Sequence, residues 1–146
     1  MRLGKYFTLE EMVATTSHYD NTPNVEQIGE LSQLVTHVLD PLRELVGHSI
    51  HVNSGFRSLA VNKDKGGVDK PLSQHCKGEA ADISSENSAL LFKLIRDHFM
   101  FDQMIWEGGN DEQPEWVHVS YKTQGNRGEI LKMKVVNGKK EYSHIK

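Results

Sequence analysis

The sequence lacks the features that mark disulfide-rich, membrane-spanning and nucleic-acid-binding proteins. It has one cysteine, Cys76, among 146 residues, so no disulfide can form within the chain. No stretch approaches the roughly 18 apolar residues that a membrane-spanning helix needs. The net charge is −3 and neither sign is concentrated in a long tract, so nothing indicates nucleic acid or an anionic membrane surface as a partner.

The amino-terminal segment also lacks the pattern of a secretory signal. Residues 1–6 carry two positive charges, but no apolar stretch follows them. We therefore expect synthesis in the cytoplasm without a signal peptide. If the substrate lies outside the cytoplasm, another route must deliver the protein to it.

What the chain does have is the composition of an ordinary globular domain. Hydrophobic residues make up 37% and charged residues 25% of the sequence. Its length is usual for one domain with a substantial core, and no internal repeat or low-complexity tract interrupts it. We therefore expect one domain over residues 1–146.

Hydrophobic periodicity predicts a mixture of helices and short strands. Apolar residues recur every three or four positions between Asn24 and Val46, which predicts a long helix that Pro41 kinks or divides. Asn137-Gly138 between two alternating runs predicts a hairpin within residues 129–146. Further helices are predicted over residues 7–12, 58–64 and 86–98, and strands over residues 49–53, 79–84, 101–106 and 116–121. The pattern is typical of an α+β fold.

Three segments carry polar residues that the predicted secondary structure does not require. They are Ser54–Ser58, Ser73–Asp82 and Glu115–Ser120. Zinc prefers nitrogen, sulfur or carboxylate ligands in a tetrahedral arrangement, and a catalytic zinc keeps one position open. His75, Asp82 and His118 would supply two imidazoles and one carboxylate. Glu115 and Arg57 have the chemistry of a base and of an electrophilic helper.

Each of these residues also has an ordinary structural explanation. An arginine beside a glycine turn is commonly solvated, and an acid after a proline is commonly part of a loop. A histidine within an alternating strand can be a half-buried structural residue. Spacing alone therefore leaves both a metal site and purely structural roles open.

The combined pattern is far more specific than its parts. Residues 73–82 meet the pattern Ser-x-His-x-x-Gly-x-Ala-x-Asp, and residues 115–118 follow as Glu-x-x-His in a Trp-Val-His-Val-Ser strand. The Ser-Gly-Phe-Arg-Ser element at residues 54–58 and the Phe-Asp-Gln-Met-Ile-Trp-Glu segment at residues 101–107 accompany them. From about residue 5 to residue 128, the chain resembles the M15 family of zinc peptidases. That family includes D-Ala-D-Ala carboxypeptidases, D-Ala-D-Ala dipeptidases and phage endolysins.

The resemblance implies a role for each singled-out residue. It implies His75, Asp82 and His118 as ligands of one zinc ion, Glu115 as the general base and acid, and Arg57 as the cation that stabilises the oxyanion. It also implies the fold shared with Hedgehog signalling domains, a small, mostly antiparallel sheet flanked by helices. The expected substrate is the stem peptide of bacterial peptidoglycan, and we expect a monomer that acts on the cell wall as a phage or prophage product.

The resemblance leaves the reaction and the biological role open. Removal of a terminal D-Ala and internal cleavage, such as that of the L-Ala–D-Glu bond, use the same metal and base. A phage tail component or wall-binding module with little or no hydrolysis is the alternative to an enzyme. The presence of both Glu115 and Arg57 favours the enzyme, because a degenerate copy would be expected to lose one of them.

Three residues near the predicted ligands lead to structural expectations. Glu115 lies three residues before His118, so on a regular strand the two side chains would face opposite ways. The chemistry therefore requires an irregular backbone at residues 114–115, with the Glu115 carboxylate within hydrogen-bond reach of the metal's open position. Cys76 is expected to be a small filler, since a fourth protein ligand would close the site. Trp116 is expected either to line the cleft or to pack on the strand face that it shares with His118.

Overall fold

The computed structural model describes residues 1–145 and confirms the predicted α+β class. Lys146, the last residue of the expected domain and hairpin, lies outside the described residues. The helices are α1 (Leu9–Val13), α2 (Val25–Leu34), α3 (Asp40–Val46), α4 (Leu59–Asp64) and α5 (Ser88–His98), with a π-helical segment at Val35–Leu39 and a 3₁₀ helix at Gln74–Lys77. The strands are β1 (His51–Ser54), β2 (Ala80–Ser84), β3 (Gln103–Glu107), β4 (Trp116–Ser120), β5 (Glu129–Val136) and β6 (Lys139–His144).

The six strands form one mostly antiparallel sheet in the order β1-β2-β4-β3-β5-β6. Only the β3–β5 pair is parallel. At the carboxyl-terminal end, β5 and β6 form the predicted hairpin around Asn137 and Gly138. These two residues have φ values of 52° and 77°, which matches the positive φ that a tight hairpin turn requires.

The two faces of the sheet bury different kinds of side chain, because successive residues of a strand point to opposite faces. One face packs with the long helices in the main core, which includes Leu34, Leu39, Leu91, Ile95, Ala81, Ile83, Met104, Val117 and Val119. The opposite face carries Asp82 and His118, beside a small apolar cluster of Ile105, Leu131 and Met133. The polar residues of interest therefore lie on the face away from the main core.

The long helix predicted over residues 24–46 is divided, as expected from its proline. The π-helical segment Val35–Leu39 separates α2 from α3, and Pro41 occupies the first turn of α3. Proline has no backbone N–H and crowds the carbonyl four residues earlier, so a wider turn immediately before it relieves that clash. Gly47 ends α3 in the left-handed conformation with φ of 74°.

Three other elements differ in detail from the sequence-based prediction. The 3₁₀ helix Gln74–Lys77 lies within a segment predicted to be mostly loop. Strand β3 extends to Glu107, one residue beyond its predicted end, and β5 begins at Glu129, ahead of the alternating run that predicted the hairpin. None of the helices described within residues 1–145 is both long and apolar enough to cross a membrane.

Candidate active site

The structure brings the three predicted ligands together from three elements. His75 lies on the 3₁₀ helix, whereas Asp82 and His118 face each other directly across the β2–β4 pair. All three are buried, with 4%, 6% and 9% of their surface exposed, respectively. One potential ligand atom from each residue lies within 4.8 Å of the other two.

The spacing of these donor atoms fits a tetrahedral metal ion. With metal–ligand bonds of about 2.0–2.2 Å, the donors of a tetrahedral zinc site are separated by roughly 3.3–3.6 Å. Asp82 Oδ1 lies 3.4 Å from His75 Nε2 and 3.0 Å from His118 Nδ1. Two imidazoles and a carboxylate at these distances fit zinc and leave a fourth position for a small molecule.

A hydrogen bond from the ring nitrogen that does not face Asp82 fixes the orientation of the His75 ring. Its Nδ1 lies 2.7 Å from the carbonyl oxygen of Gly55, and because a carbonyl can only accept, Nδ1 carries the proton. Nε2, the ring nitrogen that a metal ion would bind, is thereby directed toward Asp82. The hydroxyl of Ser73 accepts a hydrogen bond from the His75 backbone N–H at 3.3 Å and caps the 3₁₀ helix. Such outer contacts hold a metal-binding histidine in its tautomer and orientation.

The Asp82 carboxylate is held in its charged form. Burial alone would raise the pKa of Asp82, but the charge of His75 and the hydrogen bonds from His118 and His75 outweigh it, so the pKa lies well below its ordinary value. Arg57 adds a further cation, with Nη2 at 3.6 Å from Asp82 Oδ2. A metal-binding carboxylate must be deprotonated, and this environment keeps it so.

Arg57 is held at the edge of a cleft that opens beside the cluster. Its Nε donates to Ser54 Oγ at 3.0 Å, and its backbone N–H donates to the His75 carbonyl at 3.1 Å. The cleft has a volume of about 450 Å³ and is lined by Arg57, Asp82 and Trp116, together with residues of β1 and the segment after α1. Trp116 thus lines the cleft, which is one of the two placements that the sequence allowed.

Glu115 lies outside β4, in a bend immediately before the strand, so the irregular backbone predicted at residues 114–115 is confirmed. Its backbone N–H donates to the Glu107 carbonyl at 2.9 Å. The exposed side chain extends over Gly108, where an added Cβ would lie 3.2 Å from Glu115 Oε1. The proposed reach of its carboxylate to the metal's open position stays a prediction.

Sequence reasoning missed a second carboxylate on the same face. Glu107, at the end of β3, is 8% exposed, and its carboxylate accepts no hydrogen bond from the residues that the structure describes. Burial raises the pKa of Glu107; the charge of His118 opposes that effect and the charge of Asp82 adds to it. Extending the alternation of β3 by one residue would have placed Glu107 on the face of Ile105 and marked it as a buried acid.

An ion pair with a buried carboxylate contacts the 3₁₀ helix that carries His75. Asp102, 1% exposed, accepts hydrogen bonds from Arg127 Nη2 at 2.8 Å and from Arg127 Nε and backbone N–H at 3.1 Å. It also accepts from Gln74 Nε2 at 3.0 Å. Because Gln74 immediately precedes His75, this contact ties the 3₁₀ helix to the start of β3.

The cysteine next to His75 is separate from the cluster. Cys76 is a free thiol with 4% of its surface exposed, and burial raises its pKa. Among the described residues, the group of converging ligand atoms comprises His75, Asp82 and His118 without this sulfur. The group thus offers three protein ligands, one fewer than a tetrahedral ion takes.

Comparison with known proteins agrees with this geometry. The family model described as Peptidase M15 matches residues 5–120, a span that includes Arg57, His75, Asp82, Glu115 and His118. The β5–β6 hairpin lies beyond the matched span. A search of curated proteins finds no match. Because the family model covers most of the chain, the protein belongs to the M15 peptidase family.

Proposed function

We propose that the protein is a zinc-dependent peptidase that hydrolyses peptide bonds in the stem peptides of bacterial peptidoglycan. The observation that carries this proposal is the buried cluster of His75, Asp82 and His118 beside a cleft that Arg57 lines. Membership of the family supports peptide hydrolysis, and the motifs that resemble wall-active members support peptidoglycan as the substrate. We further propose that it acts on the cell wall as a monomeric phage or prophage product.

The three ligands would hold one zinc ion, which when bound lowers the pKa of water and polarises a carbonyl. The protein's own contribution is to orient the reacting groups. A peptide bond lying in the cleft would present its carbonyl oxygen to Arg57, whose guanidinium is held by Ser54. A preorganised cation there stabilises the negative charge that develops on that oxygen.

Peptide hydrolysis also needs a group that moves a proton. As the water oxygen bonds to the carbonyl carbon, a carboxylate takes a proton from that water. When the carbon–nitrogen bond breaks, the same group gives the proton to the leaving amine, and the products are a carboxylic acid and an amine, which become a carboxylate and an ammonium ion by proton exchange. The sequence assigns this role to Glu115, and the structure offers Glu107 as a second carboxylate on the same side of the sheet.

Two bonds are candidates within the proposed substrate. A carboxypeptidase would release D-Ala from the end of the stem, whereas an endopeptidase would cut an internal bond such as L-Ala–D-Glu. The metal cluster and Arg57 serve both reactions equally, since both cleave an amide. The shape of the cleft along β1 and around Trp116 decides which part of the stem fits.

A wall-binding module or phage tail component with little hydrolysis is the second candidate function. It would keep the zinc cluster as a structural centre and bind the same peptides. The orientation of Arg57 toward Asp82 and the cleft favours hydrolysis, because a structural centre has no need of a cation beside its open position.

Incubation of the purified protein with isolated peptidoglycan tests the proposal. We expect soluble fragments whose masses identify the bond, with free D-Ala for a carboxypeptidase and shortened stems for an endopeptidase. A chelator should stop the release and added zinc should restore it, and the His118→Ala variant should release nothing. Intact peptidoglycan after incubation with the zinc-loaded protein would leave the binding module as the better explanation, and fragments that persist with chelator would exclude metal dependence.

A further inference from the structure

The β5–β6 hairpin continues the face of the sheet that carries the metal cluster. Ile105, which lies opposite His118, pairs with Leu131, and Leu131 in turn pairs with His144. Paired residues point their side chains to the same face of a sheet, and so do residues two apart along one strand. The hairpin therefore presents alternate residues of its two strands on the side of the cluster: Leu131, Met133 and Val135 from β5, and Lys140, Tyr142 and His144 from β6.

The end of this face nearest the hairpin turn is exposed. Val135 is 61% exposed and Tyr142 is 51% exposed, and the exposed Lys140 is paired with Val135. Neither Lys140 nor Tyr142 forms a hydrogen bond or an ion pair through its side chain with the residues that the structure describes. Over residues 1–145, β6 is the last strand of the sheet, so no further strand there covers them. These three residues, the hairpin patch, offer a cation, a hydroxyl group and apolar surface to a ligand.

The hairpin patch is close enough to the cluster to interact with its charges. Burial is the main cause that raises the pKa of Tyr142, and the charges of Glu107 and Asp82 raise it further. Burial also raises the pKa of Glu107, and the charges of His118 and Lys140 oppose that effect. A ligand that touches the cluster can therefore extend along the same face to Lys140 and Tyr142.

The metal cluster lies between two surfaces that could bind a peptide. The cleft lined by Arg57 and β1 is on one side, and the hairpin patch is on the other, beyond β3 and β5. Neighbouring strands are about 4.8 Å apart, so β6 lies roughly 14 Å from β4, which carries His118. An extended peptide covers about 3.3–3.6 Å per residue, so about four residues cross that distance.

A terminal carboxylate is the ligand group that the hairpin patch matches. A carboxylate is negatively charged and accepts hydrogen bonds, so the Lys140 ammonium and the Tyr142 hydroxyl can both donate to it. Stem peptides end in such a carboxylate, on D-Ala. Cleavage of an internal bond, such as L-Ala–D-Glu, leaves several residues between that bond and the carboxylate, whereas release of D-Ala leaves only one. The distance from the cluster to the hairpin patch therefore fits the internal bond.

We propose that the hairpin patch binds the terminal carboxylate of a stem peptide whose internal bond lies at the metal cluster, a role that rests on the peptidase function proposed above. Lys140 forms an ion pair with the carboxylate, Tyr142 donates a hydrogen bond to it, and Val135 contacts the methyl group of the terminal D-Ala. The residues before the cleaved bond lie in the cleft along β1. The hairpin thus determines which bond is cut, because it holds the end of the peptide several residues away from the cluster.

Two synthetic stem peptides test the proposal, one with a free terminal carboxylate and one with a terminal amide. We expect wild type to cleave an internal bond of both, with KM roughly tenfold higher for the amide, because a hydrogen bond to a charged group is lost. Lys140→Ala should raise KM for the free acid by about the same factor, with kcat within about threefold and zinc content unchanged. For the amide, Lys140→Ala should match wild type. Tyr142→Phe should raise KM for the free acid roughly threefold or more.

The matched control is Lys139→Ala. Lys139 is the neighbour of Lys140 on β6, is also exposed, and points to the opposite face of the sheet. We expect its kinetic constants to equal those of wild type, and all three variants should keep the wild-type melting temperature. Equal effects of Lys139→Ala and Lys140→Ala, or an equal effect of Lys140→Ala on the acid and the amide, would overturn the proposal. So would a KM that rises only when the α-carboxylate of D-Glu is converted to an amide.

Binding of the product peptide that runs from D-Glu to the terminal D-Ala supplies a readout without cleavage. Calorimetry with the zinc-loaded protein should show roughly tenfold weaker binding in Lys140→Ala, and amidation of the terminal carboxylate should abolish that difference. Cleavage without any dependence on Lys140 would overturn the carboxylate site and leave the peptidase function intact. Binding that depends on Lys140 and on the carboxylate, in a protein that cleaves no stem peptide, would support the site and refute the peptidase function.

Discussion

The ion pair between the buried Asp102 and the half-exposed Arg127 offers a quantitative test of how the site is held in place. The substitution Asp102→Asn keeps the size of the side chain but replaces one accepting oxygen with an amide that donates. Four N–H groups, three from Arg127 and one from Gln74, now point at Asp102. In the variant at least one of them would face another donor.

The exposure of Asp102 and Arg127 sets the loss in free energy of unfolding that this substitution should cause. A hydrogen bond to a charged group contributes about 1.5–3 kcal/mol, and Asp102 is 1% exposed. The Arg127 side chain is 53% exposed, so water partly screens its share. We therefore expect a loss of about 2–4 kcal/mol in the free energy of unfolding, a decrease of roughly 6–16 °C in melting temperature for a chain of this length.

The pH dependence of this loss follows from the direction of the pKa shift. Burial would raise the pKa of Asp102, but the hydrogen bonds and charge of Arg127 outweigh it, and the folded pKa lies below the ordinary 3.8. The stabilisation is therefore present above about pH 4 and is lost as the pH falls through the folded pKa. The difference between wild type and variant should be full at pH 7 and shrink in acid.

Thermal unfolding at several pH values checks this prediction, with Asp111→Asn as the matched control. Asp111 also pairs with a cation, Lys132, but its side chain is 78% exposed. We expect no measurable change in the control. Equal effects of the two substitutions, or an Asp102→Asn effect that grows in acid, would refute the reasoning.

Three further predictions concern the ligands, Arg57 and a backbone turn. Metal analysis should find about one zinc per chain, and His75→Ala or His118→Ala should lose it; full metal content in both variants would exclude these ligands. Arg57→Ala should lower turnover roughly 10²-fold or more while zinc binding and folding persist. Unchanged turnover in this variant would show that Arg57 does not stabilise the oxyanion. Gly78→Ala should destabilise the fold by about 1–3 kcal/mol, because φ is +77° there and a Cβ would lie 2.5 Å from a carbonyl of α2. Gly66→Ala, with φ of +73° and open space around it, is the control and should lose less.

Much of the fold could be predicted because it rests on local patterns. The helix cap at Thr8 with Glu11, the division before Pro41 and the Asn137-Gly138 turn each depend on a few neighbouring residues. The 3₁₀ helix that carries His75 could not be predicted in the same way. It is held by the carbonyl of Gly55 and by the Gln74–Asp102 contact, and both partners are remote in the sequence.

The residues of the site that belong to a sequence motif could be predicted. A residue that reaches the site only through the register of two paired strands could not. His75, Asp82 and His118 lie in two recognisable patterns, and the structure brings them together. Glu107 belongs to the same face only because Ile105 pairs with His118, a register that the loop at residues 108–114 sets. No spacing within the sequence reveals that alignment.

The three proposed ligands differ in how firmly the chain holds them, and this has a kinetic consequence for the exchange of a bound metal ion. Asp82 and His118 lie on β2 and β4, which are both hydrogen-bonded to neighbours on each side. Their amides should exchange with solvent only when the sheet opens as a whole. His75 lies on a single 3₁₀ turn, whose opening requires far fewer contacts to break. A metal ion bound there should therefore enter and leave through transient displacement of His75, while Asp82 and His118 stay in place.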